Sequence, residues 1–286
     1  MISKSLTLLP EWIAPSSWWQ HVPLAHWLIC EIKPETVVEL GTHYGVSYFA
    51  FCEAADAFSN RSFIYAVDTW EGDPHAGQYE DEVYEKVQQH ANLRHKLRAR
   101  LIRSTFDEAA KYFDDKSIDL LHIDGLHTYE AVKHDYDTWL AKMKDDSIII
   151  FHDINVRERE FGVWKLWAEI KENNTTHEIA NGHGLGILVR GAKLIAQMEE
   201  LPEIMPALKS KGALLEMIAE SSEEGRFDSQ HIQQEREELM SENKDLKDQL
   251  YKAEHLLKEI HNSTIWKLSE PLRKLNDRAR GKKNHQ

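Results

Sequence analysis

Between residues 34 and 190 the apolar positions fall into two alternating kinds of run. Short apolar blocks, several rich in β-branched residues, lie at Val37-Val38-Glu39-Leu40, Phe63-Ile64-Tyr65-Ala66-Val67, Ala99–Ile102, Ile118–Asp124 and Ser147–Asp153, and the last is apolar until its end. Between them, longer stretches carry apolar residues at helical spacing: a start at Tyr48-Phe49-Ala50-Phe51, then Asp81–Leu97, Asp107–Tyr112 and Thr128–Met143. In the last of these Val132, Tyr136, Trp139 and Met143 share one face. Two more short strands are expected near His177–Ala180 and Gly186–Val189. Strands alternating with helices predict an α/β, doubly wound, mostly parallel seven-stranded sheet over residues 34–190.

The flanks read differently. A helix from about His21 to Ile32, cut off from the first strand by Pro34, makes residues 1–33 an N-terminal helical cover. Residues 191–228 read as a helical, acidic connector that includes Leu201–Ala219. From Ile232 a heptad begins: Ile232, Leu239, Leu246, Ala253 and Ile260 recur every seven residues, with Leu250 and Leu257 interleaved. Asn243 sits in the interleaved set, where a buried amide fixes register. Residues 229–270 are therefore expected to form a coiled coil that joins copies of the chain through 232–260. The alternative is a single solvated charged helix. A basic tail, 271–286, closes the sequence.

Composition narrows the function. A net charge of −13 over 286 residues argues against a protein that coats nucleic acid, which needs a basic face. Cys30 and Cys52 both lie in apolar helical contexts, as reduced core thiols do. No apolar run is long enough to span a membrane, and the N-terminus lacks the continuous apolar stretch of a signal peptide. The expected location is the cytoplasm, with the inner-membrane surface as a peripheral alternative.

The candidate chemistry centres on Glu39-Leu40-Gly41-Thr42-His43-Tyr44-Gly45-Val46-Ser47. A strand ending in an acid, a turn with two glycines and a helix start let backbone approach a ligand closely. A second strand ends in Asp68, which can grip a ribose hydroxyl pair. The dinucleotide fingerprint G-x-G-x-x-G is absent, which excludes a nicotinamide-dependent oxidoreductase. The expected ligand-binding set is Glu39, Gly41, Thr42, Gly45, Ser47, Asp68, Trp70 and Asp124, with Glu39 aimed at a cationic group. The loop Thr69–Tyr79, containing Trp70, is read as a lid.

Glu39, Gly41, Gly45 and Asp68 resemble the first two motifs of class I S-adenosylmethionine-dependent methyltransferases. Three further strings, H-I-D-G-L-H-T-Y-E-A-V from His122, F-H-D-I-N-V-R-E-R-E-F-G-V-W from Phe151 and G-H-G-L-G from Gly182, are similar to the bacterial methyltransferases found with surface-polysaccharide synthesis. The resemblance implies S-adenosylmethionine as cofactor, Ser104 beside its adenine, and a sugar or glycan hydroxyl as acceptor. The segment Ser263–Arg273 is similar to one that ends many bacterial surface-glycan glycosyltransferases.

Methyl transfer to a sugar hydroxyl requires a group to take its proton. His127 is the expected general base, kept neutral by the helix that follows it. Asp124 either orients it or binds metal, and His152 is the next candidate base. Related sugar methyltransferases hold a divalent ion on strand-end carboxylates that include an adjacent pair. Here that pair reads His152-Asp153, leaving Asp124 and Asp153 as the candidate ligands for Mg²⁺ or another divalent cation. His122 reads as a core residue and His183 as a turn residue. The competing function is a non-catalytic scaffold that recruits glycan-assembly enzymes through the coiled coil.

Overall fold

The computed structural model describes residues 4–58, 61–73, 77–78, 81–158 and 160–224; the heptad segment and the basic tail lie outside the described residues. A seven-stranded sheet forms the centre. In chain order its strands are β1 (Thr36–Leu40), β2 (Phe63–Asp68), β5 (Ala99–Arg103), β6 (Ile118–Ile123), β7 (Met143–His152), β8 (Thr175–Ile179) and β9 (Leu185–Arg190). Two-residue strands β3 (Gly72–Asp73) and β4 (Gly77–Gln78) pair separately as an antiparallel ribbon. The sheet order is β5-β2-β1-β6-β7-β9-β8, parallel from β5 through β7, with β9 antiparallel to both of its neighbours.

Adjacent residues in each strand serve opposite faces, as a period of two requires. Val37, Leu120, Ile148 and Ile150 pack on one face, where α1 (Val22–Ile32) and α2 (Val46–Phe58) lie. Val38, Leu121, Ile149 and Phe151 pack on the other, under α4 (Phe106–Ala110), α5 (Tyr129–Leu140) and α6 (Val163–Lys171). The remaining helices are α3 (Asp81–Arg94), α7 (Ala192–Gln197) and α8 (Leu201–Glu224). Both faces are buried, so the central strands are apolar without alternation.

Two features differ from the sequence reading. Met143 lies at helical spacing from Trp139, yet α5 stops at Leu140 and Met143 opens β7, opposite Ile118. Spacing alone cannot tell the end of a helix from a buried strand start. The span expected as a connector folds back onto the N-terminal cover. Leu201, Leu208, Leu215 and Ala219 of α8 are buried in the first core. A side chain at Gly212 would come within 2.2 Å of the Gln20 carbonyl oxygen, so only glycine permits this approach. Lys211 bonds to the carbonyls of Ser5 and Leu8, and Gln20 donates to Glu216 at 2.6 Å.

Candidate active site

Strand register places the site. Leu40 pairs with Val67 on one side and Ile123 on the other, and Ile123 pairs with Phe151. The residues that follow, Gly41, Asp68, Asp124 and His152, therefore sit in a row at the carboxyl ends of neighbouring strands. The sheet order turns back at β1, which is where open α/β sheets bind ligands. A cavity of about 1270 Å³ opens there.

One end of the cavity is made of backbone. Gly41 adopts φ +85°, and a Cβ there would lie 2.1 Å from the Asp124 carbonyl oxygen. The turn closes with Gly45 N–H donating to the Thr42 carbonyl at 2.7 Å. Asp68 pins it: one carboxylate oxygen accepts from the amides of Thr42 (2.8 Å) and His43 (3.0 Å), the other from the amide of Trp70 (2.7 Å). Gly41, Thr42, Gly45, Ser47 and Asp68 all line the cavity, as the sequence reading placed them.

Three other residues expected there do not face it. Glu39 is fully buried beneath the floor, where its carboxylate accepts from His122 Nδ1 at 2.9 Å and from Ser47. Trp18 Nε1 donates to His122 Nε2 at 3.2 Å. An indole only donates, so His122 carries its proton on Nδ1 and hands it to Glu39. Burial pushes the Glu39 carboxyl up, and the His122 bond pulls against it. Trp70 is also buried; it packs on Tyr84 and donates to the His43 carbonyl at 3.1 Å, bracing the turn from behind rather than covering the cavity. Ser104 contributes its amide to the Asp68 carbonyl, while its neighbours Thr105 and Phe106 form the wall. Phe106 and Gly125 were not foreseen. A side chain at Gly125 would meet the Phe106 ring at 2.4 Å, and the only signal in the sequence is a glycine directly after Asp124.

The other end is made of side chains. His127 Nε2 lies 2.9 Å from Asp153 Oδ2 and 3.5 Å from Asp124 Oδ1, with its ring stacked on Phe161 at 4.5 Å. His152 Nδ1 lies 3.2 Å from Asp124 and 3.4 Å from Asp153. His183 Nδ1 lies 3.1 Å from the other oxygen of Asp153. Two carboxylates thus share three imidazoles. Burial alone would raise both acids, but His152 and His127 hold them below the usual carboxylate range. Burial likewise opposes charge on His127, yet Asp124 and Asp153 carry it up to about 9. The neutral imidazole expected from the helix start is overridden by two carboxylates at closer range. His152 is driven upward by the same pair and is sealed, its side chain 1% exposed. His183 is the open member, 57% exposed and on the cavity wall. Asp153 and His183 both adopt positive φ, 61° and 63°, a strained backbone that the opposed loops hold in place.

Residues 38–154, which run from within β1 to just past Asp153, match the family model of a methyltransferase domain. The Gly41–Ser47 turn with Asp68 fits the cofactor S-adenosylmethionine that the resemblance implies: close-approaching backbone, a carboxylate at the next strand end, and an aromatic wall at Phe106. A curated protein of Sinorhizobium fredii, "Uncharacterized protein y4gI", is 44% identical over 186 residues, 65% of this chain. The chain spans only 20% of that relative's length. Among solved structures, a methyltransferase from Geobacter sulfurreducens aligns over 63% of this chain and 82% of its own (15% identity, TM-score 0.47). The SAH-bound Podospora anserina methyltransferase PaMTH1 aligns over 66% and 89% (14% identity, TM-score 0.46).

The fold brings Asp124, His152 and Asp153 close enough for one ligand atom of each to surround an ion. The donor chemistry does not fit Mg²⁺, which prefers an all-oxygen shell; an imidazole suits Mn²⁺, Fe²⁺ or Zn²⁺ better. His127 also already lies against both carboxylates. The cluster therefore carries its own positive charge between the two acids.

Proposed function

We propose that the chain transfers the methyl group of S-adenosylmethionine to a hydroxyl oxygen of a sugar or glycan intermediate in surface-polysaccharide assembly. One observation carries the reading: a single cavity joins the Gly41–Ser47 turn and Asp68 to the Asp124–Asp153–His183 cluster. Its volume exceeds what one drug-sized ligand needs, leaving room for an acceptor beside the cofactor. The sugar acceptor rests on the resemblance of the strings from His122, Phe151 and Gly182.

Bound S-adenosylmethionine supplies an electrophilic methyl whose C–S bond breaks as the new C–O bond forms. Asp68 and the Gly41–Ser47 turn would hold the nucleoside end, and the acceptor hydroxyl docks over Asp124, the more exposed of the two clustered acids at 20%. His183 takes the hydroxyl proton. With Nδ1 facing the Asp153 carboxylate, that nitrogen carries the hydrogen and leaves Nε2 as the acceptor atom. This is the orienting logic of an acid–histidine pair. His127 is the less suited base, because both its ring nitrogens are buried and its pKa is raised. It serves instead as the fixed cation between Asp124 and Asp153. The direct experiment is transfer of labelled methyl from S-adenosylmethionine to glycan fractions by the full chain. No label in any sugar fraction, with cofactor bound, overturns the acceptor class.

The heptads at 232–260 support a further part of the proposal, that copies of the chain associate through that segment. Because α8 belongs to the core, the test truncates after Glu224. Light scattering of the full chain and the truncation should differ, and equal monomeric masses would end this reading. No helix among the described residues is long and apolar enough to cross a membrane; peripheral recruitment to glycan-assembly enzymes remains part of the proposal.

A further inference from the structure

Arg157 lies four residues after Asp153, on the loop that walls the acceptor end of the cavity. Its guanidinium carbon stands 4.3 Å from the centre of the Trp164 ring, and Lys165 Nζ stands 5.5 Å from the same ring. The indole is itself fixed, its N–H donating to the Phe161 carbonyl at 3.0 Å. Among the described residues the guanidinium makes one hydrogen bond, a long one of 3.5 Å to the Ile154 carbonyl. Among the described residues, neither cation has a carboxylate within 4.0 Å, although Glu158 follows Arg157 directly and lines the same cavity. Arg94, Arg98, Arg103, Lys142 and Lys144 all have such partners.

Two positive charges collected about one ring repel each other, and a chain of net charge −13 has carboxylates to spare for them. Both are exposed to solvent, so their charge is available to an anion at the cavity mouth without breaking an ion pair. Arginine presents planar paired donors that match an oxyanion, and an aromatic face underneath holds the plane in place.

Resting on the methyl-transfer reading, we propose that the acceptor carries an oxyanion, a phosphate or a carboxylate, which Arg157 grips at the cavity mouth with Lys165 adding charge. The anion anchors one end of the acceptor and leaves its hydroxyl free to reach Asp124 and His183. This explains how a chain with a strongly acidic surface can select an anionic substrate: the selection is local to one loop.

The test titrates the full chain, saturated with S-adenosylhomocysteine, with pyrophosphate, uridine diphosphate and glucuronate by calorimetry. Binding of at least one probe is expected, weakened about tenfold or more by Arg157→Gln and about threefold by Lys165→Gln. Neither substitution should change S-adenosylhomocysteine affinity. The phosphate and carboxylate probes separate the two sources of the anion. Failure of all three to bind, or binding that Arg157→Gln leaves unchanged, overturns the proposal. A chain that does not bind S-adenosylhomocysteine at all would overturn the methyl-transfer reading instead.

Discussion

The two ends of the cavity are built on different plans. The cofactor end is one five-residue turn between β1 and α2, backed by a single carboxylate from β2. Its wall is mostly backbone, the Thr42 and His43 amides being tied to Asp68, and its geometry follows from two glycines with positive φ. The acceptor end gathers side chains from the loops after β6 and β7, the turn before β9 and the N-terminal cover. Backbone geometry at one end fixes which cofactor fits. Side chains from separate segments at the other end can change one at a time, which is why the proposed acceptor specificity is assigned there.

The sharpest way to break this comparison is at the acceptor end. His183→Ala should lower the methyl-transfer rate constant by roughly 10²–10⁴-fold, with S-adenosylhomocysteine affinity unchanged. His127→Ala should weaken the cluster and lower thermal stability as well. Should His127→Ala alone abolish turnover in a folded protein while His183→Ala retains it, the base is His127.

At the cofactor end the expected loss falls on binding. Asp68→Ala removes a carboxylate that holds three amides, lines the cavity and is proposed to bind the ribose. Forfeiting charge-assisted hydrogen bonds of about 1.5–3 kcal/mol should weaken S-adenosylmethionine at least tenfold by calorimetry. Unchanged affinity would mean that the turn holds its shape and its ligand without the acid.

The smallest effect isolates what the imidazoles do for Asp124 and Asp153. Asp135 on α5 is also buried, but burial pushes its carboxyl up to about 7, with His134 opposing and Asp107 adding to the rise. The folded state therefore holds the proton more tightly than the unfolded chain. Stability from this group is present below about pH 4 and is lost as pH rises toward 7. Asp135→Asn should raise the melting temperature at pH 8, by about 2–4 °C for each kcal/mol regained, and leave it unchanged at acid pH. An equal shift at both pH values would show a packing effect instead.

Much of the domain was legible because its signals are local. The β-branched runs, the Gly41–Gly45 turn and Asp68 at a strand end each carry their meaning within a few residues. Glu39 was misjudged because alternation along β1 says only that successive side chains face opposite ways, not that His122 on the adjacent strand and Trp18 of the cover would enclose it. His127 was expected neutral because the helix start is a sequence feature, whereas the approach of Asp153 from β7 is not. Phe106 and Arg157 gain their roles only when distant loops meet. The fate of α8 was hidden for the same reason, since its apolar stripe at 201, 208 and 215 names no partner.

That helix sets a schedule for the making of the protein. The wall formed by Pro15 to Trp18 emerges early from the ribosome, yet the side chains that secure its segment, Lys211 and Glu216, are among the last of the core to be synthesised. Until about two hundred residues later the first-made segment has its bonds to Tyr44, Glu53 and His122 but not the clasp from α8. A nascent chain can complete its parallel sheet while its pocket is still ajar, and the enclosure closes only when the far end of the domain clears the exit tunnel.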